Sequence, residues 1–462
     1  MSKVTSSIDQ IMEDIDAFLG KRFRARKKGI LIALKSIADP QTSFDAKVEA
    51  AGETLQEFWK EYSREHVAKV LEGFPKIQKA LFGLELEPEL GERYRDHFLH
   101  MFNIFVFGAR ILSKVIIADR SGKLLKKLFK VTEEPKKVGK LFRKGEYTAA
   151  ERLNFLWTLM STFHDVGIPI QHLPNLQRGL NLFLDHFGLR ISEFSVEREA
   201  SVDCRLPYYF ELMARMYNDG ITLEREGEYR KTIKPHPYVQ KALLDEYSRN
   251  SHGAISAICL YKSIEETFYR GKKEEKRLDL DLHEIKTYND LVFEEDITRV
   301  ALVIALHDIN VETYPKLFPI SFRKFPFLFI LIFCDEFQEY FRLEGSSLTG
   351  VTLIKSFPFL DVKMESRSGK IEIHTKILYA KPTTAEEETI KREVLPYYRK
   401  IGETPPNNFE EHIARVWKRI VERLEKKLSF KGEPIKIIMD VYQAAHGSEV
   451  CVMHWESGKA GW

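Results

Sequence analysis

Cysteine is scarce in this chain, and what there is of it is scattered. Cys204, Cys259, Cys334 and Cys451 are the only four among 462 residues, and no two stand in a Cys-x-x-Cys pair. That rules out a dense disulfide framework and a cysteine-rich zinc ribbon. Cys259 and Cys334 lie in apolar runs and are expected to be buried thiols in a reducing compartment. Net charge is also small: 71 basic and 68 acidic residues leave +3, too little for a global field that would draw in nucleic acid. Two local basic runs, residues 21–28 and 123–144, read as solvated surface. Long apolar runs are missing as well. The longest, residues 327–334, has eight residues, where a membrane span needs roughly twenty. The opening residues, MSKVTSSIDQIMEDID, contain no apolar signal core. The expectation is a cytoplasmic protein. No GxxxxGK[ST], no GxGxxG after a strand and no GxSxG occurs, which sets aside P-loop, Rossmann and nucleophile-elbow chemistry.

What is present is a large apolar content. Hydrophobic residues make up 44% and aromatics 12% of the chain, enough for a globular protein of two or three domains. Residues 1–85 read as a helical N-terminal region, with Ser6, Ser7 and Asp9 available to cap its first helix and mixed three- and four-residue apolar spacing over 44–71. Residues 86–345 read as a helical domain. Helices are expected over 91–118, 147–163, 175–187, 235–249, 254–268, 296–307 and 326–341. A basic loop is expected at 119–146 and polar insertions near 190–234 and 270–290, the first with an Asn218-Asp219-Gly220 turn signal. After Gly345 the pattern changes. Strand-like runs at 351–354, 359–365 and 370–380, a turn at Arg367-Ser368-Gly369, an amphipathic helix at 409–428 and further strands at 435–442 and 449–455 define a small C-terminal α+β domain, residues 346–462. The fold class is therefore mainly α. No internal repeat and no low-complexity tract is present.

The stretch that carries chemistry is FLWTLMSTFHDVGIPI, residues 155–170. An apolar helical run ends in His164-Asp165, and Gly167 and Pro169 stop the helix. An imidazole beside a carboxylate can grip a divalent metal from two sides. His100, His164, Asp165, His252, His307 and Asp335 all sit on or at the ends of apolar helices. An unpaired imidazole or carboxylate is costly to bury. One such histidine is readily a satisfied core residue. Six polar groups in this order invite one shared site, because the helices of a bundle can all turn their ligands inward. The aromatic series Phe322, Phe325, Phe327, Phe329, Phe333 and Phe337 reads as core packing.

The order His…His-Asp…Asp resembles that of the HD-domain metal-dependent phosphohydrolase superfamily. His100 matches its first histidine, with Ile104 and Gly108 one and two turns on. His164-Asp165 matches the doublet and Asp335, in LIFCDEFQEY, the last aspartate. His252, in SHGAISA, and His307, in VIALHDI, fall where two-metal members place their additional histidines. The segments RDHFLHMFNIFVFG, HDVGIPI, HGAISA and ALHDI…CDEFQEYFR are also similar to a group of largely uncharacterised prokaryotic HD-domain proteins. The resemblance covers residues 91–345 and implies an HD-type helical bundle.

It further implies one or two divalent ions (Mn, Fe, Co, Ni or Zn), with His100, His164, Asp165 and Asp335 on the first and Asp165, His252 and His307 on the second. Asp165 would be the central catalytic residue. The implied activity is hydrolysis of a nucleotide or related phosphate ester by a metal-activated hydroxide. Two alternatives stay open for the ligands: His97 in place of His100, and a set built on the second doublet, His307-Asp308, with His252 and Asp335. Asp96, His97 or Glu339 could orient a ligand imidazole. Arg249, Lys262 and Arg342 could clamp phosphate, although each is as readily a surface ion-pair partner. A rival expectation is a non-catalytic metal- or nucleotide-binding module that signals through the C-terminal domain. A nuclease is the third, and the balanced charge counts against it.

Overall fold

The computed structural model describes residues 7–20, 24–39, 41–62, 97–118, 125–129, 148–168, 177, 181, 206–219, 233–269, 288–338, 357–365, 370–445 and 448–459. In chain order its helices are α1 (Ile8–Leu19), α2 (Lys27–Ala38), α3 (Phe44–Tyr62), α4 (His97–Ala118), α5 (Ala149–Phe163), α6 (Leu206–Asp219), α7 (Pro237–Ser248), α8 (His252–Tyr269), α9 (Tyr288–His307), α10 (Pro326–Phe337), α11 (Thr384–Lys400) and α12 (Phe409–Lys427). The strands are β1 (Ile320–Ser321), β2 (Phe359–Glu365), β3 (Lys370–Tyr379), β4 (Leu428–Ser429), β5 (Ile435–Ala445) and β6 (Ser448–Glu456). The protein is mostly helical with a small sheet region. It divides into two compact units, one of residues 1–50, 106–128 and 318–462, the other of residues 51–105 and 129–317.

The first unit holds the sheet, in the order β2-β3-β5-β6. β2 runs antiparallel to β3 and β6 antiparallel to β5, whereas β3 and β5 are parallel. A parallel neighbour needs a crossover, and α11 and α12 form it. Along β3 the residues Ile371, Ile373, Thr375, Ile377 and Tyr379 are buried and alternate with partly exposed ones, as a sheet with one covered face requires. α12 buries Phe409, Ile413, Val416, Trp417, Ile420 and Leu424 at helical spacing and packs on α10 and β6. Asn408 caps its start by accepting from the Glu411 amide at 2.8 Å. α11 escapes the periodicity reading because, among its described side chains, Ile390, Val394 and Tyr398 alone form a buried apolar stripe and Pro396 lies inside it. A capping box supplies its start: Thr383 Oγ1 accepts from the Glu386 amide at 3.3 Å, and the Glu386 carboxylate accepts from the Thr383 amide at 2.7 Å. In the same unit, Asp14 of α1 is buried against Arg110, 3.2 Å away, and Lys114, 2.5 Å away. Ser7 caps α1.

The second unit is helical. α9 packs on α8, α6 and α5, and α7 on α6 and α8. α5 opens with a capping box in which Thr148 and Glu151 each hold the other's amide. Its interior buries Asn154, Thr158, Ser161 and Thr162. Buried hydroxyls need acceptors. Thr158, Ser161 and Thr162 find them four residues back along their own helix, at 2.7, 2.8 and 2.6 Å. The Arg152 guanidinium makes a two-pronged bond to Asp296 of α9, at 2.7 and 2.9 Å, with both groups buried.

Part of the expected polar insertion at 190–234 is a core helix. α6 buries Tyr209, Phe210, Leu212, Met213, Ala214 and Met216 against its neighbours, and the turn signal at Asn218-Asp219 coincides with its end. The polar sequence on either side diluted that stripe. α9 begins inside the expected excursion at 270–290, the rest of which lies outside the described residues up to position 287. The expected strand at 351–354, the turn at 367–369 and, apart from positions 177 and 181, the helix at 175–187 also lie outside them. α4 is long and apolar enough, by length and composition, to cross a membrane, and 78% of its apolar window is buried inside the structure. Its sequence is apolar throughout, as expected for 91–118, although His97, His100, Asn103 and Arg110 break it into short runs. Cys334 is buried and Cys259 half-buried, the latter with its thiol pushed up to about 11 by its surroundings; Cys204 lies outside the described residues.

Candidate metal centre

Within the second unit, the start of α4 and the helices α5, α8 and α9 deliver one cluster. His97 and His100 lie one turn apart on α4. His164 and Asp165 continue the last turn of α5, with the His164 amide bonded to Met160 O at 3.2 Å. His252 opens α8, and His307 closes α9. Two groups of donor atoms converge: His100, His164 and Asp165, and Asp165, His252 and His307, the atoms of each within 4.8 Å of one another. Asp165 belongs to both and faces them with different oxygens. Its Oδ2 is 3.4 Å from His100 Nε2 and 3.4 Å from His164 Nε2. Its Oδ1 is 3.4 Å from His252 Nε2 and 3.8 Å from His307 Nε2.

Hydrogen bonding settles which nitrogens can bind a cation. His164 Nδ1 lies 3.0 Å from Ser161 O and His307 Nδ1 lies 2.5 Å from Ile304 O. A carbonyl only accepts, so Nδ1 carries the proton in both rings and the neutral Nε2 is a bare lone pair. His252 Nδ1 lies 3.0 Å from the Asp308 carboxylate, with the same consequence. His252 Nε2 and His307 Nε2 then face each other 3.3 Å apart, and His164 Nε2 is 3.4 Å from His100 Nε2. A proton on one ring or a metal ion between the two relieves such a pair. Ligands about 2.1 Å from one ion lie about 3.0–3.4 Å from each other, close to the spacing found. The residues therefore fit a metal ion, and each group can hold one.

Burial alone would raise the Asp165 carboxyl, but positive charge on the imidazoles around it, His164 first and then His307, His97 and His100, holds it well below the usual carboxylate range; a bound cation would supply that charge in place of their protons. The group is a carboxylate, as a ligand must be. Asp308 is lowered too, its burial being outweighed by His252 and Ser251.

Close backbone approach makes the convergence possible. A Cβ on Gly167 would lie 2.5 Å from His252 O and 3.0 Å from the Ser256 amide nitrogen, so the turn after His164-Asp165 lies against the start of α8. The Gly167 amide donates to Ser256 Oγ at 2.7 Å. A Cβ on Gly253 would lie 2.9 Å from Ile304 O and 3.0 Å from Asp308 Cβ. Sequence reading assigned Gly167 to shaping a turn, and its contact with α8 carries no sequence signal.

The other candidates fall as follows. His97 is buried, with Nδ1 3.5 Å from Asp165 Oδ2, beside His100 and outside both donor groups. Asp335 is half-buried on α10, in the first unit. Arg249, at the end of α7, has a largely exposed side chain 3.3 Å from Glu246. Lys262 lies on α8, and its side chain is outside the described set. Asp96, Glu339 and Arg342 lie outside the described residues. Asp308 turns toward the outer nitrogen of His252, and Ser251 and Ser256 were not singled out from sequence. Compared with known proteins, the chain matches no family model, no curated protein and no solved structure.

Proposed function

We propose that this protein is a metal-dependent phosphohydrolase or phosphodiesterase of the HD type, acting on a nucleotide or related phosphate ester. The observation that carries this is the convergence of imidazole nitrogens from four helices on both oxygens of one buried carboxylate, a donor set that suits divalent ions. The residues that supply it, His100, His164-Asp165, His252 and His307, are those the HD resemblance singles out, whereas Asp335, the last aspartate of that pattern, is in neither donor group. His100, His164 and Asp165 Oδ2 would hold one ion, and Asp165 Oδ1, His252 and His307 a second. Bound there, divalent ions would supply an activated water and Lewis acidity toward phosphoryl oxygens.

The chain's own part is preorganisation. Asp165 places one oxygen toward each half-site. The protons on His164, His307 and His252 are held at Nδ1 by Ser161 O, Ile304 O and Asp308, so their Nε2 atoms need no reorientation when an ion or substrate arrives. Exposed Arg249 is the described cation available to a phosphate near the start of α8.

The depth of the cluster favours one second reading. His164 is fully buried and Asp165 nearly so, as in a non-catalytic metal-binding module. Metal content of protein prepared without chelator or nickel resin, beside hydrolysis of an aryl phosphodiester, separates the two. One or two equivalents of metal with hydrolysis, both lost in Asp165→Ala, is the expected outcome. Metal without hydrolysis across a panel of phosphate esters would favour the binding module. No metal after reconstitution with Mn, Fe, Co, Ni and Zn would overturn both.

A further inference from the structure

His164 and His307 stand at the C-terminal ends of their helices, where the last carbonyls are unpaired and available. Each takes its Nδ1 acceptor from the carbonyl three residues back. His252 stands at the opposite kind of terminus. The first turn of a helix offers free amides and no free carbonyl, so its Nδ1 acceptor must come from elsewhere. It comes from α9. Gly253 lets the start of α8 lie against the end of α9 closely enough to bring Asp308 beside the ring. Asp308 Oδ2 is 3.0 Å from His252 Nδ1, and Ser251 Oγ donates to the same oxygen at 2.9 Å. A carboxylate acceptor makes an imidazole a stronger donor at its other nitrogen than a carbonyl does.

The two half-sites also differ in access. The side chains of His100, His164 and His307 are 5%, 0% and 1% exposed, so the difference lies at His252, 15% exposed, and at its partner Asp308, 26% exposed. Resting on the two-ion form of the proposed function, we propose that Asp308, steadied by Ser251, is a positioning residue that sets the metal affinity of the His252–His307 half-site and leaves the buried His100–His164 half-site unaffected. The outer ion is then the exchangeable one, and its retention depends on the Ser251–Asp308 pair.

The test uses the full chain, stripped with chelator and titrated with Mn²⁺ while free Mn²⁺ is read by electron paramagnetic resonance. Wild type is expected to take up two equivalents of unequal affinity. Asp308→Ala should bind the tighter equivalent as wild type does and the weaker one roughly 10–100-fold less well. Asp308→Asn, which keeps an acceptor and loses the charge, should fall between. Ser251→Ala, with Asp308 intact, should weaken only the second equivalent, by less than Asp308→Ala, and serves if Asp308→Ala fails to fold by circular dichroism. An unchanged second equivalent in folded variants, or equal weakening of both, would overturn the assignment. One equivalent in wild type would overturn it while leaving a mononuclear hydrolase standing. No binding at all would overturn the proposed function itself.

Discussion

Single side chains decide the chemistry of this cluster through protons rather than through their identity alone. A histidine beside a carboxylate is ambiguous until the acceptor on its other nitrogen is known. Gly167 shows the same dependence on detail. A methyl group there would lie 2.5 Å from a backbone oxygen of α8, which has no flexible end to swing aside. We expect Gly167→Ala to lower stability by about 1–3 kcal/mol, the usual cost of overpacking, and to weaken metal binding, because the displaced turn carries His164 and Asp165. Chemical denaturation and metal content of the same preparation check this. A variant as stable as wild type with full metal content would show that the turn has slack.

Whole elements are set against each other by buried polar contacts as well as apolar ones. α5 brings the doublet and α9 brings His307, and the Arg152–Asp296 pair joins the start of α5 to the middle of α9. A buried ion pair adds little net stability but is costly to break on one side. Arg152→Met alone should cost about 3–5 kcal/mol in urea unfolding, since it strands the Asp296 charge. Arg152→Met with Asp296→Leu should recover most of that loss. If the double variant is as unstable as the single, the pair is a necessary strut between the helices. α6 makes a related point. Its apolar face was diluted in sequence by polar neighbours, yet packing on α9 and α7 places it in the core. α11 was missed for lack of apolar content, although its capping box at Thr383 and Glu386 was legible in the sequence.

At the scale of the whole molecule, acid sensitivity follows from carboxylates held ionised by their partners. Asp440, on β5, accepts from His374 Nε2 at 2.7 Å and His454 Nδ1 at 2.6 Å. Burial would raise its carboxyl, but these imidazoles hold it below its ordinary value of 3.8. As pH falls, the unfolded chain therefore takes up this proton first. The stability Asp440 contributes is complete above the unfolded value and is lost as pH drops through 3.8 toward the lower folded value. Asp440→Asn should lower unfolding free energy by about 1–3 kcal/mol near neutral pH, the range for bonds to charged groups. The gap from wild type should close below the ordinary carboxylate range. A gap that stays constant down to pH 2 would assign the loss to packing instead.

Amino-acid order by itself determined what is local: apolar stripes at helical spacing, the strand-like run of β3, the cap at Ser7, and the set of polar groups embedded in apolar helices that His100, His164, Asp165, His252 and His307 belong to. Each is a property of a few neighbouring residues, so it can be read along the chain. Only the tertiary structure decided that these five meet, that Asp165 faces two half-sites with different oxygens, that Asp308 serves His252 from outside the cluster, and that Gly167 and Gly253 are contact points between helices. Those relations join residues tens of positions apart, and they are set by where helix ends leave carbonyls free and how closely backbones can approach, which no spacing along one element encodes.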